Sequence, residues 1–181
     1  RIPREDKADI ESIATVQLDA KPALLLTGSG SLSPTRNTCL VIDPVTKEKK
    51  QFRLDTFYNR LRGSGLKDLN IEGAAALPGS LMLSGRGNKS FPYNYLALVS
   101  DRFLENQATA SIKLMKLGHQ TDTALFAGVS GMDYSTLTDQ LLVTVSTENT
   151  YNSYDDGRIG KSNLWIIDDL STKIGSGTLL P

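Results

Sequence analysis

"LMLSGRG" at residues 81–87 is the stretch on which the fold turns. A short apolar run closed by glycine reads as a strand that ends at a turn. The same shape stands at residues 24–30 as "LLLTGSG", an offset of 57, and again at 141–147 as "LLVTVST", a further offset of 60. A similar run precedes each copy: "DIESIATV" (9–16), "NIEGAAAL" (70–77) and "GVSGMDYS" (128–135). After a loop, each is followed by "LVID", "LALVSD" or "LWIIDD". Ordered matches in three consecutive units argue for an internal repeat of three or four strands.

Other segments fill in the unit. "ASIKLMKL" (110–117) alternates apolar and polar residues and predicts a strand with one wet face. "IDPVTKEKKQF" reads as strand, turn, strand, with Asp43 and Pro44 opening the turn. "LDTFYNRLRGSG" (54–65) predicts a short connecting helix, capped by Asp55 or Thr56 and ended by Gly63. A repeated four-stranded antiparallel unit predicts an all-β chain and, within that class, a β-propeller. The expectation is about three blades of a larger, six-bladed ring, with units near 9–65, 66–125 and 126–181 of one partial propeller spanning 1–181. A β-sandwich is the alternative. Three blades cannot close a ring. The start at Arg1 and the end in "IGSGTLLP" read as cuts through a longer chain. An open arc would leave apolar sheet faces exposed and prone to association.

Twenty basic and twenty acidic residues cancel, which argues against a nucleic-acid partner because that calls for a basic excess. No apolar run approaches the roughly 18 residues of a membrane span, so no membrane partner is expected. A single cysteine, Cys39, excludes an internal disulfide and a Cys-rich zinc site; at the start of a strand it reads as a core residue, as does Trp165 in "LWIID". "GSG" and "GRG" precede no helix and so make no dinucleotide fingerprint. "GVSGM" is not a nucleophile elbow. His119, the only histidine, falls in a loop and is read as exposed rather than as a catalytic base.

Strand order sets where polar residues gather. The first strand of each unit runs from one rim to the other and the second returns, so first-strand starts and second-strand ends share a rim. That places Glu11, Glu72, Arg36, Arg86, Asn88, Glu148, Asp155 and Asp156 together at the mouth of a central channel. The loop after the third copy, "STENTYNSYDDG" (146–157), is the longest of its kind. Its acids and amides offer oxygen ligands suited to Ca²⁺, or they close Asx turns in a solvated loop; Tyr151 and Tyr154 flank it as possible stacking surfaces. Glu11 and Glu72 either accept backbone hydrogen bonds between blades or face a channel ligand. On the second reading, Glu72, Glu148, Asp155 and Asp156 are the candidate metal ligands. Glu11, Glu72, Arg86, Asn88 and Glu148 are then the candidate ligand-binding set. The ligand is a small molecule or a protein.

Taken together, "DIESIATV", "NIEGAAAL" with "RGN" at 86–88, "GVSGMDYS" and "STENTYNSYDDG" resemble a family of uncharacterised bacterial β-propeller-like proteins, over residues 9 to 170 or so. More distantly, the "IEG" element is similar to that of phytase-like propellers described as having esterase-like activity. The resemblance implies a site made by carboxylates near the channel mouth, which in this chain are Glu11, Glu72 and Glu148, with Arg86 and Asn88 beside them. The leading expectation from the rim residues is cation-assisted binding or hydrolysis of a phosphate or ester, with a cation on Glu72, Glu148 and Asp155 or Asp156 and with Arg86 neutralising the anion. A non-catalytic scaffold that binds protein or glycan through the same rim is the competing expectation.

Overall fold

A computed structural model describes residues 2–118, 126–155 and 157–179. His119 and Asp156 lie outside the described residues. The chain is all-β, with three consecutive sheets. The first is a meander of β1 (Ile10–Leu18), β2 (Lys21–Gly28), β3 (Thr38–Ile42) and β4 (Lys49–Arg53). The second is a meander of β5 (Ile71–Leu77), β6 (Ser80–Gly85), β7 (Asn94–Ser100) and β8 (Ile112–Leu117). The third contains β9 (Ala127–Ser135), β10 (Gln140–Glu148) and β11 (Ile159–Ile167). Every pairing within the meanders is antiparallel.

Short connections dictate this order, because a tight turn can only join antiparallel neighbours. Asp43 shows the local chemistry: its Oδ1 accepts hydrogen bonds from the backbone N–H of Val45 at 2.7 Å and Thr46 at 2.9 Å, turning β3 into β4. The third unit departs from the pattern. Among the described residues it has no fourth strand of its own. After β11 the chain forms a short helical turn, α2 (Leu170–Lys173), and then β12 (Thr178–Leu179), which pairs in parallel with β8 of the second sheet.

The first strands of the three sheets are neighbours, with β5 lying between β1 and β9. Small residues allow this approach. A Cβ on Gly73 would stand 2.7 Å from Ser84 Oγ and 3.0 Å from the Met132 backbone nitrogen, so only glycine fits between β6 and β9 here.

Two apolar layers fill the spaces between sheets. Leu25 and Val41 of the first sheet meet Leu81, Leu83 and Val99 of the second. Met82, Leu96 and Met115 of the second meet Leu141 and Val143 of the third. The second sheet is therefore covered on both faces, which corrects the expectation of a wet face on residues 110–117. Leu114 packs into the first layer while Met115 and Leu117 pack into the second. The helix α1 (Asp55–Gly63) is also more than a connector, since Phe57, Tyr58 and Leu61 are buried in the first layer. Neither Asp55 nor Thr56 caps it: the N-cap position is Leu54, which makes no side-chain cap bond. Asp55 instead accepts from Arg53 and Asn37. Cys39 is a core residue whose thiol burial pushes up to about 12. Trp165 is only half-buried, packed beside the second layer.

Candidate functional site

A β-bulge recurs at one place in each sheet. Pairing of β1 with β2 skips between Ile10 and Ser12, and pairing of β5 with β6 skips between Ile71 and Gly73. In the third sheet, Thr144 opposes Gly131 and Val145 opposes Val129. The residues left unpaired are Glu11, Glu72 and Ser130, which are equivalent by repeat. A bulge inserts one residue without a ladder partner and redirects its side chain. The extra residue of the bulge is thus a carboxylate in the first two sheets and Ser130 in the third.

Backbone bonds fix the surrounding rim. The N–H of Ser29 donates to Asp9 O and that of Arg86 donates to Asn70 O, both at 2.8 Å. These two bonds are the same contact in successive units, and each closes a first-strand start onto a second-strand end. The side chains so gathered line a polar pocket of about 70 Å³, with Asp9, Glu11, Arg36, Glu72, Arg86 and Glu148 among its walls. Asn88 and Asp155 line it too. The structure thus brings together every predicted site residue that is among the described ones.

Arg86 links two sheets. Its Nη2 stands 2.6 Å from Glu148 Oε2 and its Nη1 3.7 Å from Glu72 Oε1. A Cβ on Gly128 would fall 2.6 Å from Arg86 Nε, so the glycine at the start of "GVSGM" lets the guanidinium cross the third sheet. The other Glu148 oxygen, Oε1, accepts from the Gly157 N–H at 2.7 Å. Glu148 therefore clamps its own loop as well as Arg86. Glu72 Oε1 accepts from Asn70 Nδ2 at 2.9 Å. Burial raises the Glu72 carboxyl to about 7, against the opposing pull of Arg86 and with further upward push from Glu11 and Glu148. Burial prevails because Arg86 lies closer to Glu148 than to Glu72. The Glu11 carboxyl is raised as well, chiefly by desolvation and then by Asp9.

On the other side, Arg36 is almost wholly buried and donates to Asp9 Oδ2 and Ser31 Oγ, each at 2.7 Å. Its Nε is buried without a hydrogen-bond partner. The guanidiniums of Arg36 and Arg4 both sit over the Tyr154 ring, at 5.0 and 4.7 Å from its centroid.

Two predicted site residues have prior commitments. Asn88 Nδ2 donates to Asp68, while its Oδ1 accepts from the N–H groups of Ser90 and Phe91. Asp155 Oδ2 accepts from Asn152 Nδ2 at 2.8 Å, and Asn152 Oδ1 caps the Tyr154 and Asp155 N–H groups. The long loop is thus closed by an Asx turn. Among the described residues no group of three or more His, Cys, Asp or Glu side chains is arranged to hold a metal ion. Arg4 and Asp68 were not foreseen. Asp68 receives both Asn88 and Ser153 Oγ, and nothing in its local sequence marks it.

The fold and rim define an all-β protein of repeated antiparallel sheets with one charged pocket where three sheets meet. The chain belongs to a family of unknown function, DUF6929, whose model matches residues 1–179. A search of curated proteins finds no match.

Proposed function

We propose that this chain forms three blades of a six-bladed β-propeller and that its rim pocket binds a small phosphate- or ester-bearing ligand with the help of a cation. The observation that carries this reading is the convergence of the bulged carboxylates Glu11 and Glu72 with Arg36 and Arg86 in one pocket. The propeller reading is supported by three successive sheets with adjacent first strands. The likeness of "IEG" to phytase-like propellers points the same way.

The pocket is far smaller than the ~300–1,000 Å³ of drug-sized clefts, which favours a compact, highly charged group. Arg86, a wall of the pocket, receives the anion. The protein has no preformed three-carboxylate cage among the described residues. The cation therefore enters with the ligand, held by Glu11 and Glu72 and by the ligand's own oxygens, as metals that bind through one or two carboxylates and a phosphate do.

Thermal melts with Ca²⁺ alone, inorganic phosphate alone, both together, and both with chelator test the reading. Both together are expected to raise Tm by more than either alone, and chelator to abolish the gain. Equal melts in all four conditions would sink it. The second reading, a non-catalytic scaffold, is favoured by one observation: Arg86 already neutralises Glu148 and part of Glu72.

A further inference from the structure

A second cavity lies at the other end of the first strands from the charged rim, in the seam between the first and second sheets. Its volume is about 170 Å³. Leu18, Leu25, Leu81, Phe103 and Leu104 make its apolar walls. Leu25, Leu81 and Phe103 are buried members of the first apolar layer. Asp101, which is exposed, is the one carboxylate among the lining residues. The cavity sits between two sheets of this chain and not on an outer face.

The repeat shows which side chains would otherwise fill it. Ala76 lies opposite Leu81 across β5 and β6, and Tyr134 lies opposite Leu141 across β9 and β10. Leu81 and Leu141 are equivalent at the 60-residue offset, so Ala76 and Tyr134 hold one position in successive sheets. Each faces the preceding sheet: Ala76 packs against the first layer and Tyr134 against the second. The turns match as well. Gly79 and Asp139 each stand just before the second strand, with φ of 69° and 52°. In the third sheet the Tyr134 hydroxyl donates to Asp139 Oδ1 at 2.9 Å. In the second sheet both side chains are cut back, one to a methyl group and the other to hydrogen. A Cβ on Gly79 would meet nothing within 4 Å, and Ala76 and Gly79 both line the cavity. The first seam thus lacks the phenol ring that the second seam receives from its own chain.

We propose that this cavity binds a small ligand with a single aromatic ring and a hydroxyl group. An engineered apolar cavity of about 150 Å³ takes up benzene, which sets the size at one ring. The ring lies among Leu25, Leu81 and Phe103, where Phe103 offers an aromatic partner in edge-to-face or offset contact. The hydroxyl turns to the mouth and donates to Asp101, as Tyr134 donates to Asp139 in the third sheet. The cavity shares no lining residue with the charged rim pocket. The inference therefore stands apart from the phosphate reading of that pocket and from the number of blades in the ring.

Isothermal titration calorimetry of the full chain with phenol and with benzene tests it. Phenol is expected to bind saturably at one site, several-fold more tightly than benzene. Ala76→Tyr restores the ring of the third sheet and is expected to abolish binding of both probes. Ala76→Leu, a smaller filler, is measured beside it and is expected to weaken both, and circular dichroism checks that each variant keeps its strands. Asp101→Ala is expected to remove the advantage of phenol and to leave benzene binding unchanged. No saturable binding by the wild-type chain, or undiminished binding by a folded filling variant, would overturn the inference. Equal affinity of the wild-type chain for phenol and benzene, or an advantage of phenol that survives Asp101→Ala, would overturn the role given to the hydroxyl group.

Discussion

Arg86 Nη2 and Glu148 Oε2 lie 2.6 Å apart although they come from different sheets. Their side chains are only 10% and 15% exposed, and the Glu72 side chain, 3.7 Å from the same guanidinium, 16%. A single cation thus serves two carboxylates at the seam between the second and third sheets. Removing one member of a buried pair strands the others as unpaired charge.

Arg86→Met is therefore expected to destabilise the chain by about 3 kcal/mol. Urea denaturation at pH 8, where Glu72 is ionised, is the measurement. A change below about 0.5 kcal/mol, the range of ordinary surface substitutions, would show that the seam does not depend on this residue.

Glu72 gives the stability a pH dependence of known sign. Burial holds its carboxyl at about 7 in the folded chain against 4.5 for an ordinary glutamate, so between these values the folded state binds more protons than the unfolded state. Stability from this group is complete below about 4.5 and is lost as pH rises through about 7. Glu72→Gln removes that loss. The variant is expected to be more stable than wild type at pH 8, by up to roughly 3 kcal/mol, with the difference shrinking toward pH 5. Parallel pH profiles for the two proteins would refute it.

Gly73→Ala tests the close approach of the first strands. The added methyl meets Ser84 Oγ at 2.7 Å and the Met132 backbone nitrogen at 3.0 Å. Because one neighbour is backbone, the strands must shift, at a cost of about 1–3 kcal/mol. Differential scanning calorimetry is expected to show Tm lowered by several degrees. An unchanged Tm would place β5 and β9 further apart than described.

Asn152→Ala separates the Asx turn from a cation site. The substitution frees Asp155 Oδ2 and uncaps the Tyr154 and Asp155 N–H groups. Proteolysis of the 149–157 segment should then quicken several-fold with global Tm barely altered. If calcium affinity rather than protease resistance responds, the loop's oxygens bind metal instead.

Much of this architecture was readable because its signals are local or periodic. "LMLSGRG" and its two relatives mark second strands through alternation and terminal glycine, and antiparallel order then places Glu11, Glu72 and Arg86 on one rim. The bulge at Glu11 and Glu72 was not readable, since it exists only in the pairing register between two strands. The partners of Asn88 were not readable either: its amide bonds a turn and Asp68, a residue 20 positions away. "ASIKLMKL" misled for a related reason: alternation reports wet faces only where one face is wet, and the middle sheet has none. The short pairing of β12 lies below what propensity can register, because two residues become a strand only where an edge already waits for them.

That last pairing alters how the protein comes apart. Arrays of repeats ordinarily unravel from their ends, one unit at a time. Here the tail of the final unit is latched to its predecessor. The Gly118 N–H donates to Leu179 O at 2.6 Å and Lys113 Nζ to Ile174 O, also at 2.6 Å. The third sheet cannot peel away while this latch holds, so the second and third units lose structure together. The first sheet has no part in this latch and can loosen while the latched pair stays folded.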